Sequence, residues 1–204
     1  MSCSSMAALA QIKSGATLLG GNISVNSSKT SNNSNAESKG HNLFVQVSAG
    51  YAVKENTVAG LVLGLVDGKS EGTNSETATN KGFSGGLFYR AYKPLSHKWY
   101  WFLQGNALYS TNKNTSDDLG TINDRTVKSN AVLLGVTPGV SYQLTRRLQA
   151  ELAIADLASL QFQQSKTLDA SNTELSKVNT VGFGTGFTGN GILGNISLGF
   201  RLTL

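Results

Sequence analysis

Very little in this chain offers the usual means of holding a fold together. Its 204 residues include one cysteine, Cys3, so no intrachain disulfide can form. Prolines number 2, and charged residues make up 14% of the chain, well under the usual quarter. No run of ~18 or more apolar residues exists, which excludes a transmembrane helix. It does not exclude a membrane barrel, whose strands need only ~9–11 residues. Apolar residues never recur at helical period, so helical bundles and α/β folds drop out. Histidines number 2, at His41 and His97, which leaves little material for a metal or catalytic centre. The length suits one domain or one barrel.

What is present is glycine, 23 residues of it, and strict two-residue alternation. In residues 191–204, Ile192, Ile196, Leu198, Phe200, Leu202 and Leu204 share one parity, and Asn195, Ser197, Gly199, Arg201 and Thr203 the other. Side chains alternate faces along a strand, so this stretch has one apolar and one polar face. If every strand repeats the pattern, and the polar faces are too polar for a dry core, the apolar faces point outward into lipid. A lipocalin-like carrier would need the reverse arrangement.

The pattern does repeat. Leu19, Ile23 and Val25 mark a first strand; Leu43, Val45, Val47, Tyr51 and Val53 a second; Leu61, Leu63 and Leu65 a third. Phe83, Leu87 and Tyr89 follow, then Trp99, Trp101, Leu103 and Tyr109, then Val132, Leu134, Val136, Val140 and Tyr142. Leu148, Leu152 and Ile154 mark a seventh, where Asp156 breaks parity and predicts a bulge. Residues 191–204 are the eighth. Four long polar segments, residues 27–40, 67–80, 111–125 and 163–190, alternate with three tight turns near 54–56, 95–98 and 145–147. The expectation is an all-β, eight-stranded antiparallel up-and-down transmembrane β-barrel, with four long polar extracellular loops at one end and both termini at the other.

Aromatic residues near the turn ends, Tyr51, Tyr89, Trp99, Trp101, Tyr142 and Phe200, are expected to form a girdle at one membrane interface. Charges in the four polar segments sum to about zero. The net charge of +5 is therefore assigned to the turn end, where Lys93, Lys98, Arg146 and Arg147 lie uncompensated and Lys13 lies near the same rim. A ring of this kind suits acidic lipid headgroups or the cell wall, not nucleic acid.

Gln11-Ile12-Lys13-Ser14-Gly15 with Leu18-Leu19-Gly20-Gly21, Phe88-Tyr89-Arg90-Ala91-Tyr92 before Pro94, Gln104, Pro138-Gly139, Leu144-Thr145 and the inward Glu151 stand in an order and spacing that resemble the small eight-stranded outer-membrane β-barrel family of Gram-negative bacteria, of the OmpA/OmpX type. The resemblance covers residues 11–204. It implies residence in the bacterial outer membrane, contact with outer-membrane lipid and lipopolysaccharide, and handling by the barrel-insertion machinery. The chain departs from the family in ending on Leu204, where an aromatic residue is commoner, which implies weaker recognition by that machinery. Residues 1–10, MSCSSMAALA, read as the remnant of a signal peptide, with Ala8-Leu9-Ala10 as the cleavage signal and the barrel domain occupying 11–204.

Other motifs yield to plainer readings. Gly184, Gly186 and Gly189 spell GxGxxG, but a dinucleotide site needs a following helix, and here a strand follows. His41 and His97 fall at opposite mouths, roughly 30 Å apart by ~10 strand residues, too far to share a metal or a catalytic site. Deacylation of lipid A on a barrel wall would need Ser and His together on the lipid-facing side, and no such pair is seen. The chain is read as non-enzymatic and without cofactor. Glu151, Arg90, Arg201, Gln104 and Tyr92 fall on lumen faces and are expected to form a polar plug. Its function is then structural or interactive, displaying four polar loops to an extracellular ligand without an open pore. The alternative is a small porin-like channel with those residues as its selectivity ring.

Overall fold

The computed structural model describes residues 12–31, 37–72, 77–117, 125–154, 156–185 and 196–204. The chain forms β1 (Thr17–Ser31), β2 (Glu37–Lys54), β3 (Thr57–Glu71), β4 (Thr77–Pro94), β5 (Trp99–Asp117), β6 (Arg125–Gln143), β7 (Leu148–Ile154), β8 (Ala158–Leu168), β9 (Glu174–Thr185) and β10 (Ile196–Thr203). All pairings are antiparallel. Each of β1 to β6 pairs with the next, and β10 pairs with both β7 and β1, which closes an eight-strand ring. β8 continues the wall on the upper part of β6, and β9 pairs with β8.

Ten strands replace the expected eight: the seventh is interrupted at the expected bulge, giving β7 and β8, and β9 forms within residues 163–190, expected to be loop. On β6, two residues separate the rungs Val136↔Ala158 and Gly139↔Ala153; on the facing side there are four. One of the two is Pro138, which has no N–H to give to a ladder. Asp156 takes a left-handed backbone, φ 48°, and its N–H donates to Thr137 Oγ1 at 3.3 Å. Two extra residues preserve parity, so Leu160 and Phe162 still face outward. The expected start of the last strand at Gly191, and Asn195, lie outside the described residues, as do residues 1–11 and most of the GxGxxG stretch.

The four long loops are a correction. Pairing runs up to Ser31↔Glu37, Glu71↔Thr77, Ser116↔Arg125 and Leu168↔Glu174, so most of the residues read as loop are strand. Backbone ladder bonds do not depend on apolar side chains, and Thr and Val within these stretches favour extended backbone. Loss of hydrophobic alternation marks where the wall leaves an apolar surrounding. It does not mark where the sheet stops.

The opposite ends are tight. Glu55-Asn56 joins β2 to β3, with Asn56 left-handed at φ 55°, a conformation Asn tolerates well. In the third turn, the Leu144 N–H donates to the Leu148 carbonyl at 2.9 Å, and the Leu148 N–H to Thr145 Oγ1 at 3.0 Å. The segment before β1 folds across this mouth. Ile12 exchanges bonds with Asn56 (its N–H to Oδ1 at 3.1 Å, its carbonyl from the Asn56 N–H at 3.0 Å), and Gly15 and Ala16 bond to Ala52.

Parity is as read from the sequence. Leu61, Leu87, Leu198 and Phe200 are exposed on the outer wall, while Val58, Phe88, Phe102 and Arg201 are buried within. The interior differs from the expected polar lumen. Ile12, Leu18, Ala52, Val58, Tyr92, Tyr100 and Phe102 pack into an apolar floor at the turn end, with Val62, Phe88 and Ala153 joined to it. Tyr92 stacks edge-on to Tyr100 at 6.2 Å and tilted to Phe102 at 5.8 Å. Phe102 has its place because Gly139 stands opposite; a β-carbon there would collide with its ring.

Candidate functional site

The five polar residues read as a lumen cluster form one network centred on Glu151 Oε1. Glu151 Oε1 accepts from Arg90 Nη1 at 2.6 Å, from Arg201 Nε at 2.9 Å and from the Tyr92 hydroxyl at 3.3 Å. Arg90 also donates through Nε to Gln104 Oε1 at 2.6 Å and through Nη1 to Tyr92 at 3.0 Å. Both ion pairs are buried, with side-chain exposures of 4–9%. β4, β7 and β10 supply one charge each. β7 and β10 are adjacent; β4 lies across the ring, and the narrow bore lets its guanidinium reach over.

Both cations are further held by rings: Arg90 Cζ lies 4.0 Å from the Phe102 centroid, and Arg201 Cζ 5.8 Å from that of Phe88. Gly20 leaves room for the Arg201 guanidinium, whose Cζ would sit 3.3 Å from a β-carbon there. Burial of the pair in a low-dielectric floor makes it strong and costly to break from one side.

On the other side of the cluster from the floor is a cavity of about 340 Å³, lined by Gln46, Ser84, Asn106, Ser110, Thr137 and Asp156 among others. Asp156 joins Glu151 as a second inward acid: the bulge turns it inward, and Gly135 leaves the space its carboxylate occupies. With Asp156 counted, the cavity wall carries two positive and two negative charges. Gln104 donates on to Asn106 at 2.6 Å, so the network continues up the wall.

No protein-family model and no curated protein matches the sequence. Among solved structures, the chain is similar to the crystal structure of a major outer membrane protein from Thermus thermophilus, with a TM-score of 0.52 and 12% identity over 93% of this chain and 99% of that one. Neisserial surface protein A aligns at a TM-score of 0.43 and 16% identity, over 94% of this chain and 98% of its own. The translocator domain of autotransporter NalP from Neisseria meningitidis aligns at 0.45 and 15%, over 96% and 89%. The fold is that of an outer-membrane β-barrel.

In an outer-membrane barrel the outer wall is a second functional surface. Tyr51, Tyr89, Trp99, Trp101 and Phe200 are exposed on it; Tyr142 is half-buried, its ring 4.8 Å from that of Trp99. The sequence reading missed a second aromatic level. Phe83, Tyr109 and Phe162 are exposed at the opposite edge of the apolar band, in near register through Phe83↔Leu65, Tyr109↔Val132 and Val132↔Phe162. From Trp99 to Tyr109 a strand tilted by ~40° rises about 25 Å, the height of a barrel's apolar belt. The signal was available: each of these aromatics is the last outward apolar residue before polar side chains take over. Lys13, Lys93, Lys98, Arg146 and Arg147 are exposed at the turn end. His41 lies in β2 opposite Lys69, on the far side of the band from His97 in the second turn.

Proposed function

We propose that the protein resides in the outer membrane of a Gram-negative bacterium as a structural or interaction barrel of the OmpA/OmpX size class, non-catalytic and without an open pore. The observation that carries this reading is the closure of the lumen: the Arg90–Glu151–Arg201 cluster lies over an apolar floor, and residues 12–16 are laced across the mouth beneath it. An eight-strand bore is only wide enough for side chains to fill. Polar strand extensions rise beyond the apolar belt, which supports display to an extracellular ligand. The two aromatic levels support seating in lipid, with lipopolysaccharide on the extension side and the basic turn end toward the cell interior. Assembly would use the barrel-insertion machinery. A small porin-like channel is the second reading; the 340 Å³ cavity favours it, but the cavity meets the ion cluster at its base. Planar-bilayer recording of the purified barrel tests the choice. Closed membranes are expected, and stable unitary conductance from the unmodified protein would overturn the plugged reading.

A further inference from the structure

The strand register places five lysines side by side. Lys81 on β4 faces Lys113 on β5; Lys113 faces Lys128 on β6; Lys128 faces Lys166 on β8; Lys166 faces Lys177 on β9. All five share the parity of the outward residues below them: Phe83, Tyr109, Val132, Phe162 and Val181. The row is thus an unbroken line of ammonium groups crossing five neighbouring strands of the outer wall.

Like charges directly opposite on paired strands destabilise a sheet, so four successive like pairs call for a reason. Protection of an exposed edge would account for Lys177 on β9, but the other four stand on strands paired on both sides. Solubility would be served as well by mixed signs. Among the described residues, acids meet the row only towards its ends: Asp67 faces Lys81, and Glu174 Oε2 lies 2.8 Å from Lys166 Nζ. Lys113 and Lys128, in the middle, have no ion-pair partner among the described residues.

We propose that this row binds phosphate-bearing lipid headgroups of the surrounding leaflet. The height is right. Lys81 is two residues beyond Phe83, and Lys113, Lys128, Lys166 and Lys177 are each four residues beyond Tyr109, Val132, Phe162 and Val181, roughly 10 Å along a tilted strand. That is headgroup depth, and a lysine stem can lie back along the wall towards the belt. The width is right as well. Four strand spacings span about 19 Å, more than one phosphate needs and enough for a headgroup bearing two or for neighbouring lipids. This inference rests on the outer wall facing lipid. It is independent of whether the lumen conducts.

The test uses the full chain, refolded in detergent and reconstituted in phosphatidylcholine nanodiscs with or without a bisphosphorylated glycolipid, with retained lipid counted by native mass spectrometry. Each lysine near a charged surface is worth about a 5-fold change in affinity, so K113Q/K128Q/K166Q is expected to lose about 100-fold. A variant of neutral outward side chains beside the row, T79Q/T111Q, should retain the lipid. If the triple variant does not insert, the single K128Q should still lose about 5-fold, and K113R/K128R/K166R should keep binding. Unchanged retention by an inserted triple variant overturns the proposal. So does equal displacement by soluble polyphosphate, which would make the row a site for soluble polyanions. Failure of the unmodified chain to insert would instead defeat the membrane reading itself.

Discussion

Replacing Glu151 by Ala removes the acceptor that Arg90 and Arg201 share. Three donors lose their acceptor at once, at 2.6, 2.9 and 3.3 Å. Two guanidinium groups, 6% and 4% exposed, are then left facing each other. Breaking a buried pair from one side costs about 3–5 kcal/mol, because the orphaned charge stays desolvated. With a urea slope near 2 kcal/mol/M, the unfolding midpoint should fall by about 2 M. Arg90 keeps Gln104, Tyr92 and the Phe102 ring, which places the loss towards the lower end. Glu151→Leu combined with Arg201→Leu should be milder, since it restores the single net positive charge of the native triad. It is not neutral, because Arg90 remains without its acid. The assay is the urea midpoint in lipid, read by tryptophan fluorescence and by the faster migration of the closed barrel on unheated gels. An E151A midpoint within error of wild type would refute a dry, coupled cluster and favour a hydrated bore.

Two further outcomes follow. Leu198 is exposed on the outer wall while Ser197 lines the cavity, so Leu198→Arg should cost about 2–4 kcal/mol of insertion stability and Ser197→Arg much less; equal folded fractions on unheated gels would contradict the facing. At the rim, the bond from Lys166 holds the Glu174 carboxyl below its usual pKa, burial opposing weakly. A depressed carboxylate contributes above its unfolded pKa and is lost as pH falls through the folded one, so this small surface contribution should vanish only in acid. An NMR titration should find Glu174 returning towards its ordinary value in K166Q, and an unmoved titration would place the cause elsewhere.

Face assignment was legible in the sequence because it depends on parity alone. Leu61 and Leu198 are outward, and Arg90, Glu151 and Arg201 inward, without any knowledge of tilt or closure. The cluster itself was legible for the same reason, with adjacency of the last two ring strands adding Arg201 to Glu151. Strand length was not. Residues such as Ser28, Thr79 and Asn112 carry no apolar signal, yet their backbones pair fully, since the ladder needs only N–H and C=O groups. The apolar floor was missed because Val58, Val62 and Phe88 share a parity with polar neighbours elsewhere. Only closure of the ring brings them against Tyr100 and Phe102.

Charge was the deeper failure, and it shows what register adds to parity. Summing charges segment by segment gives nearly zero at the extension end, because acids such as Glu71, Asp117 and Asp169 sit near the tips and cancel the lysines in any count. Electrostatics at a surface falls off within a Debye length of about 8–10 Å, so position matters and the sum does not. Once strands are registered, the lysines separate from those acids into one line, while Asp156 separates from the wall into the lumen. Both the lumen and the outer wall therefore carry charge arrangements that no tally of this weakly charged chain could reveal. Each is set by a backbone feature: the lumen's second acid by the two-residue bulge opposite Pro138, and the lysine row by strand pairing that continues past the apolar belt.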